Sequence, residues 1–254
     1  MGIKERRTKI LLTLFLLSDV DLSFVDFDER VEKISDLYFN QKTKSSLNLL
    51  IKDGVIERDE NVESNSNQKS KGRYRLTEKG WGELSLTFPF LRYLRDTWDG
   101  RWRILSYEIP EKKRDLRDRL RRSVSGWGLG PWHRSFWLTP HPIVENAREL
   151  VKGKDEEQYV QIFESEHVFG DREILIEKVW GKKALEEKYR ELFRVWHDTL
   201  SKDVDKLEKL AIVVKKYIDV LRYDPGLPKE LVGESWIGFE SYTIYKEIRS
   251  ILLS

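Results

Sequence analysis

The side chains best suited to chemistry lie between residues 41 and 75. A first set shares the outer face of a short stretch with helical apolar spacing, and no acidic residue interrupts it before Asp53. Its members are Gln41, Lys42, Lys44, Ser45, Asn48 and Lys52. A second, basic set includes Lys69, Lys71 and Arg73. Amide, hydroxyl and ammonium groups hydrogen-bond to base edges and pair with phosphates, so these residue types favour contact with nucleic acid.

Other kinds of chemistry find little support in the sequence. The absence of cysteine excludes thiolate metal sites, disulfides and cysteine nucleophiles. The four histidines are scattered without metal-ligand spacing, and neither a P-loop nor a GxGxxG fingerprint occurs. We therefore expect no enzymatic activity, no catalytic residue, no metal site and no cofactor.

Short secondary-structure elements must position the two polar sets. Apolar residues at Leu47, Leu50 and Ile51 have the spacing of one helix face, which predicts a helix over Thr43–Ile51. Further helices are expected at Ile10–Leu17, at Asp28–Phe39 and after the N-cap Thr77, and strands at Val55–Arg58 and Arg73–Leu76. The order helix, helix, helix, strand, strand, helix is typical of a winged helix-turn-helix.

A winged helix-turn-helix makes double-stranded DNA the expected partner. The helix over Thr43–Ile51 would enter the major groove, and the hairpin carrying Lys69 and Lys71 would contact phosphates. The alternative from the same residues is an adaptor whose winged helix serves protein contacts and whose lysines form a solvated face. The formal net charge of +2 hides this local pattern, so charge must be read segment by segment.

The middle of the chain predicts a second domain with a different pattern. Strands are expected at Trp102–Ile109, Ser135–Thr139 and Gln158–Glu164, with one more strand near Pro131, and helices at Glu111–Ser125 and Pro142–Val151. This β-α-β-β-α-β order is the ferredoxin-like arrangement. Ten basic and five acidic residues between Trp98 and Pro142 give this tract a charge of +5. Its arginine-rich helix could contact phosphates, or its charges could pair along the helix, as Asp115 with Arg119.

Two families share features with this central tract. Residues 105–110, LSYEIP, followed by an arginine-rich helix, resemble the small CRISPR-associated ferredoxin-fold nuclease, in which a strand-end aspartate is the metal ligand. Glu108 holds the matching position, and this leaves a metal-dependent nuclease as an alternative function. The segments WDGRWR, EIPEKKRDLRDRLRR and GWGLGPWHRSFWLTPHP, between residues 98 and 142, more specifically resemble the central domain of PaaX-type transcriptional repressors.

The C-terminal part extends the PaaX resemblance. Helical apolar spacing runs from Leu185 to Leu200 and from Val204 to Leu221. The sequence DPGLPKEL at 224–231, with Trp236 after it, resembles the signature that ends PaaX-type proteins. The resemblance implies a homodimeric, DNA-binding repressor that is released from its operator by a small-molecule effector of the aryl-CoA thioester type. The effector-binding residues stay unknown, because aromatic side chains such as Trp196 are more often core.

These patterns together predict an α+β protein with three parts. An N-terminal winged helix-turn-helix with a connecting helix would occupy residues 1–97, a central ferredoxin-like domain residues 98–172, and an α-helical C-terminal region residues 173–254. The longest apolar stretch, Ile10–Leu17, is about half of the roughly 20 residues that a spanning helix needs. We therefore expect a cytoplasmic protein without a membrane partner.

Overall fold

The structure, a computed structural model, describes residues 2–60, 71–124 and 126–254 of a mixed α+β chain. The Cα positions fall into two compact units. The first unit consists of Met1–Ser85, Tyr189–Val220 and Gly238–Ser254, and the second consists of Leu86–Lys188 and Leu221–Ile237. The division into three domains at residues 97 and 172 remains a prediction.

The first unit begins with four helices and a small antiparallel sheet. Their bounds are α1 Ile3–Ser18, β1 Val25–Asp26, α2 Glu29–Ser35, α3 Gln41–Lys52, β2 Ile56–Arg58, β3 Arg73–Leu76 and α4 Glu78–Thr87. The strands lie in the order β1-β3-β2, with Val25 opposite Tyr74 and Ile56 opposite Leu76. The central strand β3 therefore joins the hairpin to the segment that precedes α2.

Helix α1 forms the centre of this first unit. Its residues Ile10 to Leu16 are all buried, so the helix is covered on every side rather than along one stripe. The Phe15 ring lies 5.3 Å from the Trp81 ring of α4. Gly80 allows α4 to approach this closely, since a Cβ at that position would lie 2.1 Å from the Val55 carbonyl oxygen. A residue with a side chain at position 80 would push α4 away from the sheet.

The C-terminal helices α8 Lys182–Leu200, α9 Lys206–Leu221 and α11 Ile237–Leu253 contribute most of their length to the same unit. Trp196, Tyr217 and Tyr245 form one buried aromatic cluster, with ring centroids 5.1 to 6.5 Å apart. The Tyr245 hydroxyl donates a 2.8 Å hydrogen bond to the Leu16 carbonyl at the end of α1. The end of the chain thus completes the core that surrounds α1.

The second unit contains the predicted β-α-β-β-α-β order. Its elements are β4 Trp102–Tyr107, α5 Arg114–Val124, β5 Gly130–His133, β6 Phe136–Thr139, α6 Val144–Val151 and β7 Val160–Ser165, followed by α7 Arg172–Trp180 and the short α10 Lys229–Val232. The sheet order is β5-β6-β4-β7 with antiparallel neighbours, as in the split βαβ arrangement. Helices α5 and α6 pack on one face through a core that includes Leu105, Leu120 and Ala147.

The DPGLP sequence at 224–228 has a structural role in this unit. All five residues are buried, and the Pro225 carbonyl oxygen lies 2.7 Å from Nε2 of the buried His141. Burial lowers the pKa of His141 to about 3, so the imidazole is neutral at physiological pH. Gly128 must lack a side chain here, because a Cβ would lie 2.5 Å from both the His141 ring and the Pro225 oxygen. The signature resembling PaaX proteins therefore fixes a tightly packed contact.

Several element boundaries differ from the predicted ones. Helix α2 ends at Ser35 instead of Phe39, because Asp36 adopts a left-handed conformation with φ of 49°. The Phe39 N–H then donates to the Glu32 carboxylate instead of continuing the helix. Strand β4 ends at Tyr107, and the predicted helix from Glu111 opens as a 3₁₀ turn before α5. Among the helices within the described ranges, none has both the length and the apolar character needed to cross a membrane.

Candidate nucleic-acid interface

Helix α3 begins where the sequence supplies a strong cap. The Asn40 side chain accepts a 3.1 Å hydrogen bond from the Thr43 N–H, which satisfies one of the free amides of the first turn. Thr43, Ser46, Leu47 and Leu50 are buried and hold one face of the helix against the unit. The opposite face is thereby directed to solvent, with its orientation set by both cap and core.

The outer face of α3 carries all six side chains that the sequence singled out on this helix. Each of them is exposed: Gln41, Lys42, Lys44, Ser45, Asn48 and Lys52. No acidic residue occurs within α3, and no ion pair joins its three lysines to any residue that the structure describes. Lys44 lies 5.2 Å from the centre of the Phe39 ring, a cation–π contact that leaves its charge uncompensated. The face is consequently basic and rich in hydrogen-bonding groups.

The basic residues where the hairpin loop enters β3 differ from the lysines of α3, because they form ion pairs with acidic residues. Lys71 Nζ lies 2.6 Å from the Glu32 carboxylate, and Arg73 pairs with Asp59 at 3.0 Å and with Asp26 at 3.5 Å. Their charges are therefore partly neutralised within the unit. Lys69, the third predicted residue of this set, lies outside the described residues.

Glu32 connects the turn before α3 with the end of the hairpin loop at Lys71. Its Oε1 atom accepts hydrogen bonds from the Phe39 N–H and from the Lys71 ammonium, both at 2.6 Å. Burial alone would raise the pKa of this carboxyl, but the hydrogen bonds from Lys71 and Phe39 outweigh that effect and hold the pKa of Glu32 below its usual range. Sequence reasoning missed this contact, because Lys71 is 39 residues away along the chain.

The remaining candidates from the sequence, Arg119 of the arginine-rich helix and Glu108, lie in the second unit. The structure does not join them into one site. Arg119 pairs with the buried Glu156 at 2.5 Å and not with Asp115. Arg119 and Glu156 line a groove of about 350 Å³ on the central domain. Glu108 is exposed, and no group of three or more potential metal ligands occurs in the described part of the chain.

Four aromatic residues of the C-terminal part, including Trp196, each pack within their own unit. Trp196 and Tyr217 belong to the buried cluster of the first unit, whereas Trp236 is buried in the second unit. Trp180 stacks on Trp102 at 5.9 Å within the second unit. The effector-binding residues therefore remain unassigned.

Comparison with known proteins relates both the middle and the end of the chain to one family. The PaaX protein central Cas2-like domain matches residues 95–174, and the PaaX-like protein C-terminal domain matches residues 180–254. No curated protein matches the chain. Among solved structures, the uncharacterized protein Rv0674 from Mycobacterium tuberculosis shares 16% sequence identity, with a TM-score of 0.53 over 98% of this chain and 95% of that chain. At this identity the similarity concerns the fold alone.

The fold and the matched domains define a mixed α+β protein with a Cas2-like central domain. The two matches together span more than half of the chain, and the chain belongs to the PaaX-type family. The resemblance drawn from the residues between 98 and 142 and from the DPGLPKEL segment is thereby confirmed. Membership of this family indicates a transcriptional regulator.

Proposed function

We propose that this chain is a DNA-binding transcriptional repressor whose N-terminal helices and three-stranded sheet form a winged helix-turn-helix. The observation that carries the proposal is the outer face of α3, which exposes amide, hydroxyl and ammonium groups and no carboxylate. A helix with such a face suits the major groove of DNA, where base edges offer hydrogen-bonding partners next to phosphates. The PaaX-type membership of the chain supports the same conclusion.

The residues of α3 divide into two roles in this proposal. Lys42, Lys44 and Lys52 contact phosphates and supply affinity without reading sequence. Gln41, Ser45 and Asn48 face the base edges. Asn48 is the residue we assign to sequence discrimination, because an asparagine side chain forms a bidentate pair with adenine.

The hairpin adds a smaller contribution. Phosphates beside the groove are contacted by Lys69, Lys71 and Arg73. To do so, Lys71 gives up part of its ion pair with Glu32, and Arg73 gives up part of its ion pair with Asp59. That exchange costs part of the electrostatic gain, so we expect the lysines of α3 to contribute more affinity than Lys71 or Arg73.

Regulation of operator binding depends on dimerisation and on a small-molecule effector. The chain acts as a homodimer on an operator with two half-sites, since two copies of α3 related by a two-fold axis match a pseudo-palindrome. An aryl-CoA thioester releases the operator by binding more tightly to a dimer geometry that fits DNA poorly. A ligand without such differential affinity would leave DNA binding unchanged.

Binding to duplex DNA at graded salt concentrations tests the proposal. The wild-type affinity should fall steeply as salt rises, and the slope of log K against log salt should decrease by about one for Lys42→Ala. Lys215→Ala is the matched control, because Lys215 is also exposed but lies on α9. This control should keep the wild-type affinity and slope.

The same titration separates the proposal from the adaptor alternative. An adaptor would bind duplex DNA weakly or not at all. If Lys42→Ala and Lys215→Ala had equal effects, α3 would not be the DNA-contacting helix and the proposal would be wrong.

A further inference from the structure

Tyr38 is an exposed aromatic residue at the entrance to α3. Its side chain is 63% exposed, whereas the adjacent Leu37 is 1% exposed and Phe39 is half-buried. Within the described residues, the Tyr38 ring and hydroxyl make no hydrogen bond, ring contact or cation contact. A tyrosine in such a position presents an apolar ring together with a hydroxyl that can donate a hydrogen bond to a partner.

The backbone beneath Tyr38 is held firmly. The Tyr38 carbonyl oxygen accepts a hydrogen bond from the Thr43 hydroxyl at 2.7 Å and another from the Asn40 N–H at 2.8 Å. Thr43 is itself buried, and Asn40 is the N-cap of α3. The Cα of Tyr38 is therefore fixed relative to the first turn of α3, and only two side-chain torsions remain free.

The charge around Tyr38 favours an anion. Phe39, the next residue, has Lys44 at 5.2 Å and Lys71 at 5.9 Å from its ring centre. Two acids that precede Tyr38 in the sequence are paired, Glu32 with Lys71 at 2.6 Å and Asp36 with Lys9 at 3.4 Å. Lys44 has no ion pair within the described residues, so a phosphate near the start of α3 would meet this uncompensated ammonium, whereas Lys71 is already paired with Glu32.

We propose that the Tyr38 hydroxyl donates a hydrogen bond to a backbone phosphate of the DNA whose major groove receives α3. This inference rests on the proposed function, because it requires α3 to be the helix that enters DNA. Tyrosine hydroxyls are among the donors that contact phosphate oxygens in protein–DNA complexes. Tyr38 is thus an uncharged contact that fixes the position of α3 in the groove, and it does not discriminate between base sequences.

A neutral donor leaves a distinctive signature in binding data. Removal of the hydroxyl should weaken binding to every duplex by a similar factor, because the contact is to the backbone. It should leave the salt slope unchanged, because a tyrosine displaces no counterions. The loss of one such hydrogen bond corresponds to about a three- to tenfold increase in Kd.

The experiment uses fluorescence anisotropy with the full-length chain and two duplexes, one bearing a sequence selected by the wild-type protein and one with that sequence scrambled. The variants are Tyr38→Phe and Tyr38→Ala, with Tyr223→Phe as the matched control. Tyr223 is 68% exposed but belongs to the second unit. Thermal unfolding of each variant checks the fold, and Tyr38→Phe should melt like the wild type because its hydroxyl has no partner in the described chain.

The expected result is a similar loss for Tyr38→Phe on both duplexes, at an unchanged salt slope, with Tyr223→Phe equal to the wild type. Wild-type affinity of Tyr38→Phe for both duplexes would overturn the inference, and so would a loss confined to the selected duplex. If wild-type binding stays steeply salt-dependent and Lys42→Ala still lowers the slope in these cases, only the role of Tyr38 is wrong. If the wild type binds neither duplex, the proposed function itself fails.

Discussion

At the scale of single residues, the polar face of α3 could be predicted but its surroundings could not. Apolar spacing at Leu47, Leu50 and Ile51 fixes which side of the helix is buried, so the exposure of Lys42 and Asn48 follows from local sequence. The partners of Lys71 and Arg73 depend on residues 39 and 14 positions away. Local patterns contain no information on such pairs, and the sequence therefore predicted only that the hairpin carries basic residues.

The carboxylate of Glu32 should make this region sensitive to acid. Because its pKa is lowered in the folded chain, its contribution to stability is complete above the unfolded pKa of about 4.3 and is lost as the pH falls through the folded pKa. Glu32→Gln should lower the free energy of unfolding by about 1 to 2 kcal/mol near neutral pH. The difference from the wild type should shrink as the pH falls below about 4.

Chemical denaturation at a series of pH values measures this difference directly. Glu240→Gln provides the control, because Glu240 is exposed on α11 and its substitution should leave the free energy of unfolding close to that of the wild type. A constant gap between wild type and Glu32→Gln from neutral pH to about pH 3 would argue against an ionised, hydrogen-bonded Glu32.

At the scale of elements, the types and order of the helices and strands were largely predictable, whereas some ends were not. The periods of 3.6 and 2 residues are properties of short stretches, and they identified α3, β3 and the strands of the central sheet. The end of α2 depends instead on a left-handed Asp36 and on the capture of the Phe39 amide by Glu32. Competing hydrogen bonds of this kind are settled only in the folded chain.

Two glycines of α4 should respond to alanine with opposite signs. Gly80→Ala places a Cβ 2.1 Å from the Val55 carbonyl oxygen, so α4 must shift and the free energy of unfolding should fall by about 3 kcal/mol. Gly82 has no atom within 4 Å of the corresponding Cβ, and Gly82→Ala should stabilise the chain by about 0.5 to 1 kcal/mol through helix propensity. Urea unfolding of both variants measures the two changes, and equal effects would contradict the close approach of α4 to residue 55.

At the scale of the whole molecule, the sequence predicted a domain order, while the structure adds how distant segments combine. The C-terminal segments Tyr189–Val220 and Gly238–Ser254 belong to the same unit as the N-terminal helices. No change in composition along the sequence indicates that these segments share a unit, because the contacts join residues more than 200 positions apart, such as Tyr245 and Leu16. The near-neutral total charge likewise conceals an α3 face with three lysines and no acid.

Selection from a pool of random duplexes with the full-length wild-type chain shows whether α3 reads duplex DNA. DNA reading by α3 predicts enrichment of a pseudo-palindrome whose half-sites lie about one helical turn, or a multiple of it, apart. It also predicts that the double variant Lys42→Ala with Asn48→Ala enriches no sequence, while Lys215→Ala enriches the wild-type sequence. If the wild type enriched no sequence, or if the double variant enriched the same sequence, α3 would not be the helix that reads DNA.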